Sequence, residues 1–227
     1  MNLFIKEKIQ VQDLCNVTGL ILKAEPFGEY DRRIVILTRE RGKIAAFAKG
    51  ARKQGSRLLA STNPFCFGEF KLYEGRSSYS VSEAAISNYF APLREDFEGA
   101  CYGMYFLEIM DYYTRENNDE KEMLKLLYQS LRALCHKGLD NRLVRYIIEI
   151  KALSLNGEYP GLPEDHKYQE STVYALSFIV NTSVEKLFTF MVTDSVLEEI
   201  KEIADNFRKR FIDRKFKSLE ILNEIPC

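Results

Sequence analysis

Residues 32–57 read RRIVILTRERGKIAAFAKGARKQGSR, and this stretch decides the fold of the N-terminal third. Two apolar runs, 34–37 and 44–48, flank Arg39-Glu40-Arg41-Gly42, a hairpin turn with glycine at its tight position. Nine cations (Arg32, Arg33, Arg39, Arg41, Lys43, Lys49, Arg52, Lys53 and Arg57) stand against one acid, Glu40. The last nine residues, KGARKQGSR, hold four cations, two glycines and no acid. Short strands with cationic edges and a mobile cationic loop make a surface suited to a phosphate backbone. Charged edges that only keep strands from aggregating are the bland alternative, but a loop needed for solubility alone would mix signs.

Working outward, residues 17–24 are apolar and β-branched, and Pro26-Phe27-Gly28 closes them. Residues 65–73 alternate aromatic and polar side chains, Glu74-Gly75-Arg76 turns, and 79–84 return. Five short strands with basic loops predict a small antiparallel barrel over residues 1–90. From Pro92 the apolar period becomes helical, through Leu93, Phe97, Ala100, Met104 and Leu107, and Pro92 suits a first helical turn. Further helices are expected over 120–135, 142–155, 173–180, 184–191 and 196–211. Residues 157–171 form a Pro/Gly/charged connection without periodicity. The expected class is α+β: a five-stranded barrel, then an all-helical part over 91–227. The aromatic stripe along 97–113 reads as core.

At 227 residues, 46% hydrophobic and 29% charged, the chain can bury a core and is not of disordered composition. A net charge of −1 hides a split. Residues 1–80 hold 14 basic and 8 acidic side chains, and the remainder holds 18 and 25. An anion-binding N-terminal part joined to an acidic part is the natural reading. Five scattered cysteines (Cys15, Cys66, Cys101, Cys135, Cys227) form no CxxC pair, which suggests buried free thiols in a reducing compartment. Lys6-Glu7-Lys8 interrupts the first apolar residues, so a signal peptide is not expected, and no stretch is apolar enough to span a bilayer. The expected location is cytoplasmic.

No catalytic constellation emerges. His136 and His166 are the only histidines; the first is placed in the last turn of a helix and the second in the polar connection. Neither belongs to a zinc pattern, and neither Gly42-Lys43 nor Lys49-Gly50 fits a nucleotide-binding loop. Pairs such as Asp119-Glu120 and Glu198-Glu199 read as solvated helix faces. No metal, cofactor or catalytic residue is therefore expected. The run Arg208, Lys209, Arg210, Arg214, Lys215 and Lys217 either complements a helix dipole or makes a second phosphate patch.

Together these residues resemble the RecO family of bacterial recombination mediators. The likeness runs through Val17-Thr18-Gly19-Leu20-Ile21-Leu22, Phe27-Gly28-Glu29, Asp31-Arg32-Arg33, Arg41-Gly42-Lys43, Ala48-Lys49-Gly50-Ala51-Arg52 and Ser56-Arg57. Weaker likeness continues through Leu72-Tyr73-Glu74-Gly75 and residues 100–111 to Phe216-Lys217-Ser218-Leu219. The resemblance implies an N-terminal OB-type barrel, a helical C-terminal domain and no enzymatic turnover. It implies binding of single- and double-stranded DNA, strand annealing, contact with the acidic tail of single-strand-binding protein, and RecA loading together with RecR. Phosphate contacts are then expected from Arg32, Arg33, Arg39, Lys43, Lys49, Arg52, Lys53 and Arg57, with the 208–217 cations as a second patch and Phe27 and Phe47 as stacking groups. Many members carry a four-cysteine zinc module after a motif like Gly157-Glu158-Tyr159-Pro160. No cysteine lies between Cys135 and Cys227, so 157–171 is expected to be a metal-free version.

Overall fold

In the computed structural model, β1 (Leu14–Phe27), β2 (Asp31–Thr38) and β3 (Gly42–Ala48) form a meander. A single helical turn, α1 (Leu58–Ser61), then leads to β4 (Phe67–Glu74) and β5 (Tyr79–Asn88). The residues described are 13–76, 78–162 and 168–224, so His166, Cys227 and part of the 157–171 connection lie outside them. The strands close into a barrel in the order β1-β2-β3-β5-β4. One seam departs from the antiparallel expectation: β3 and β5 run parallel through Ala46↔Tyr79 and Phe47↔Ser80. Strand direction alternates round a ring and five is odd, so one pairing has to be parallel. This closed five-strand order is OB-like.

Alternation along each strand sorts the side chains. Val17, Ile21, Ile34, Ile36, Ile44, Phe70 and Leu72 fill the barrel. Leu20, Leu22, Val35 and Leu37 point the other way and belong to the core of the helical part. A bulge between Ile21 and Lys23 offsets the register, so Leu22 and Lys23 both reach that outer side.

Among the described residues after β5 come a 3-10 turn at Ala91–Arg94 and six helices: α2 (Phe97–Tyr113), α3 (Lys121–Leu134), α4 (Asn141–Leu155), α5 (Glu170–Asn181), α6 (Asp194–Phe211) and α7 (Lys217–Glu224). Pro92 therefore opens only the 3-10 turn. α2 starts later because the Asp96 side chain accepts a hydrogen bond from the Gly99 N–H. The helix expected over 184–191 is reduced to a turn at Val184–Lys186. Thr189 turns its hydroxyl onto the Lys186 carbonyl (2.8 Å), and Phe190 packs edge-on against Phe178. Along α2 the aromatic stripe is core, with Tyr105 and Phe106 fully buried, except for Phe97 at 72% exposure.

The β2–β3 turn joins barrel to helices. Gly42 forms an antiparallel bridge with Glu116, Lys43 N–H donates to the Arg115 carbonyl (2.9 Å), and Asn117 N–H donates to the Arg41 carbonyl (3.0 Å). Beside this bridge, Asp111 of α2 receives Lys23 from β1 (2.7 Å), Lys43 from β3 (3.2 Å) and Arg214 from the α6–α7 segment (3.1 Å). Among the described residues, no helix is long and apolar enough to cross a membrane.

Candidate nucleic-acid interface

At the end of the barrel away from Gly42, the outer face is open. Cross-strand partners share a face, so Glu25, Phe27, Asp31, Arg33 and Phe47 lie together there. Phe27 is 51% exposed, and its ring meets that of Phe47 at a centroid distance of 4.7 Å, tilted by 56°. Arg33 stands beside them, 3.4 Å from the Glu25 carboxylate in an open ion pair.

The basic loop 49–57 borders this face. It is fastened, not loose. Successive turns are closed by Lys53 N–H on the Gly50 carbonyl and Ser56 N–H on the Lys53 carbonyl (both 3.1 Å). The loop is tied to the β1–β2 turn by Arg52 N–H on the Tyr30 carbonyl (2.8 Å) and Gly50 N–H on Asp31 Oδ1 (2.7 Å). Ala51 is fully buried beneath it, and Gly50 and Gly55 take the positive φ values the turns need. The mobility expected from two glycines is thus spent on turns. Lys49, Arg52, Lys53 and Arg57 all remain exposed, with Lys53 Nζ 5.3 Å from the centre of the Tyr30 ring.

Other cations of the same stretch have different employment. Arg32 points inward and donates to the Thr62 carbonyl (3.1 Å), Thr62 Oγ1 (2.9 Å) and Asn63 Oδ1 (3.0 Å), pinning the segment after α1. Burial, then the charge of Arg52, pulls its pKa below the usual arginine value. Lys43 is held at Asp111 by the junction described above. Arg39 lies at the far end of β2, in a cleft of about 390 Å³ shared with Phe67, Lys121, Leu124, Lys125 and Tyr128.

The C-terminal run also divides. Arg208 turns into the core against Asp205, and Arg214 reaches Asp111. Lys209, Arg210, Lys215 and Lys217 are exposed, with Arg210 over the Phe211 ring. A groove of about 270 Å³ between α6 and α7 is lined by Lys209, Lys215, Phe216 and Glu220.

Sequence comparison supplies the lineage. The family described as Recombination protein O N terminal matches residues 13–90, and Recombination protein O C terminal matches 94–167. The DNA repair protein RecO of Clostridium novyi is 30% identical over 90% of this chain and 92% of its own length. The chain belongs to the RecO family. The RecO of Acetivibrio thermocellus is 28% identical over 92% of this chain and 98% of its own, and that of Bacillus pumilus is 34% identical over 64% and 57%.

RecO-family membership carries the DNA-repair assignment and the non-enzymatic reading. Among the described residues, no group of three or more His, Cys, Asp or Glu could hold a metal ion. Cys15, Cys66, Cys101 and Cys135 are free. Cys66 is buried, the other three are half-buried, and burial raises the pKa of all four thiols. His136 lies just past α3, exposed, its Nδ1 accepting from the Gly138 N–H.

Sequence reading missed two features of this RecO-family surface. Tyr30, 45% exposed, presents its ring to Lys53 of the cationic loop. Its signal was available: the 28–30 turn and the 49–53 loop leave the same end of paired strands. The junction cluster of Lys23, Asp111 and Arg214 had none, because Asp111 lies 88 residues from Lys23 and 103 from Arg214.

Proposed function

We propose that this RecO-family chain is a non-enzymatic recombination mediator that holds DNA across the open end of its barrel. The supporting observation is one juxtaposition: four exposed cations on a fastened loop, Lys53 of that loop over the Tyr30 ring, and Arg33 beside the paired rings of Phe27 and Phe47. Backbone phosphates meet the cations, and unstacked bases meet the rings. Lys209, Arg210, Lys215 and Lys217 form a second patch for another strand or the flank of a duplex. Two such patches on one chain bring complementary strands together, which is annealing without chemistry. Within this reading the protein works in the cytoplasm at the nucleoid, with RecR, in loading RecA on strands covered by single-strand-binding protein.

The test is annealing of labelled complementary strands across a salt series. A chain with Lys49, Arg52, Lys53 and Arg57 changed to glutamine should anneal at least tenfold more slowly than the wild type at low salt. Equal rates would remove the barrel end from the reaction.

A second reading, as an adaptor with auxiliary DNA contact, is favoured by the cleft at Arg39. Its apolar floor of Phe67, Leu124 and Tyr128 and its three cations Arg39, Lys121 and Lys125, against the one acid Glu122, suit the acidic tail of single-strand-binding protein. Recovery of that protein in a pull-down should fall when its tail is deleted or when Arg39 is changed to glutamate. Tail-independent recovery would count against this docking mode.

A further inference from the structure

Inside the helical part, two arginines and two carboxylates form a chain of contacts that does not quite close. The Tyr105 hydroxyl and Arg145 Nε both donate to Glu149 Oε1, at 2.6 and 2.9 Å. The other end of Arg145 lies 3.5 Å from Asp205 Oδ1, which also takes the Arg208 guanidinium. Two polar atoms are left over, both buried and without a hydrogen-bond partner: Glu149 Oε2 and Arg208 Nε. The first is an acceptor and the second a donor.

Glu149 and Arg208 both line one small cavity between α4 and α6, walled otherwise by Tyr113, Ile150, Leu153, Ala204, Phe207 and Ile212. Its volume is about 10 Å³, close to the roughly 10–15 Å³ that a single water needs. We infer that this cavity binds one ordered water molecule, which accepts from Arg208 Nε and donates to Glu149 Oε2. The chemistry of the walls selects the occupant. A cation would face an N–H donor, and an anion would face a carboxylate. The four charged groups already balance two against two. A neutral molecule that donates and accepts at once satisfies both orphaned atoms, and water is the smallest molecule that does.

With the water in place the contacts close into a ring: Glu149, Arg145, Asp205, Arg208, water, and back to Glu149. The ring fastens α6 to α4 and ties Arg208 into the core. It thereby separates Arg208 from Lys209 and Arg210, its exposed neighbours in sequence.

A crystal structure of the full chain, at a resolution that reveals ordered water, tests this directly. The expected result is a single peak within hydrogen-bond distance of both Glu149 Oε2 and Arg208 Nε. A direct contact between those two atoms, a cavity refilled by a moved side chain, or a dry cavity would overturn it. Water relaxation dispersion gives a second readout in solution. An Arg208→Met chain should lose the contribution of one long-lived water relative to wild type, and an unchanged amplitude would contradict the assignment. If that variant does not fold, the wild-type density decides alone.

Discussion

Gly42 sits at φ +64°, and a β-carbon there would lie 2.3 Å from the Arg115 carbonyl oxygen. Both facts forbid a side chain, one by backbone conformation and one by space. Gly42→Ala should therefore destabilise the fold by about 2 kcal/mol or more, measured as a lowered urea midpoint. Asp111, just before Arg115 in the same junction, is a pH-sensitive counterpart. Burial by itself would raise its carboxyl pKa, but hydrogen bonds and charge from Lys23 and Lys43 outweigh burial and hold it below the usual value. Unfolded, the same carboxyl takes its proton near pH 3.9. Its contribution is thus complete above that pH and is lost as the pH falls through the lower, folded value. Asp111→Asn should cost about 1–3 kcal/mol at neutral pH and flatten the acid limb of the stability curve. An acid limb identical to wild type would show that the junction charge plays no such part. At this scale the sequence distinguishes residue types but not employment. Lys43 and Lys49 read alike, yet one is spent on Asp111 and the other faces solvent.

At the scale of elements, patterning served well where apolar side chains are buried at a regular spacing. The apolar runs 34–37 and 44–48 fall inside β2 and β3, and α3 and α4 fall within a residue of the expected bounds. Failures came where local side-chain chemistry competes with periodicity. Thr189 ends a helical pattern that the apolar spacing would have continued, and α7 is too short to show a period of its own. The fastening of the 49–57 loop was likewise invisible, since Asp31 and Tyr30 hold it from across a turn. That fastening bears on function: ordered cations lose less entropy on meeting phosphates than a floppy segment would. The neighbouring rings allow a separate check. Phe27→Ala and Phe47→Ala should each weaken single-strand affinity by about 1–3 kcal/mol, read by fluorescence anisotropy, with only a small change in melting temperature. Loss of affinity solely in step with loss of folded protein would argue for a packing role.

For the whole molecule, barrel and helices share a core. Leu20, Leu22, Val35 and Leu37 of the barrel are buried among the side chains of the helices, and exposing each would cost about 1.5–3 kcal/mol. The two parts should accordingly unfold in one calorimetric transition, and two resolved transitions would contradict a shared core. This coupling keeps the open end of the barrel at a fixed place relative to the C-terminal cations. The change of period near residue 90 announced two architectures, but nothing in the local pattern announced that they are welded. The central claim, that the exposed barrel end tracks a DNA backbone, is tested most directly by the salt dependence of single-strand binding. Wild type should be compared with the Lys49/Arg52/Lys53/Arg57 glutamine variant, and with Lys43→Gln as a cation outside the surface. At about −0.7 in log K per log salt for each phosphate contact, the loop variant should lose affinity and show a slope shallower by about 2–3, while Lys43→Gln keeps the wild-type slope. An unchanged slope in the loop variant, or an equal loss in both, would contradict the account.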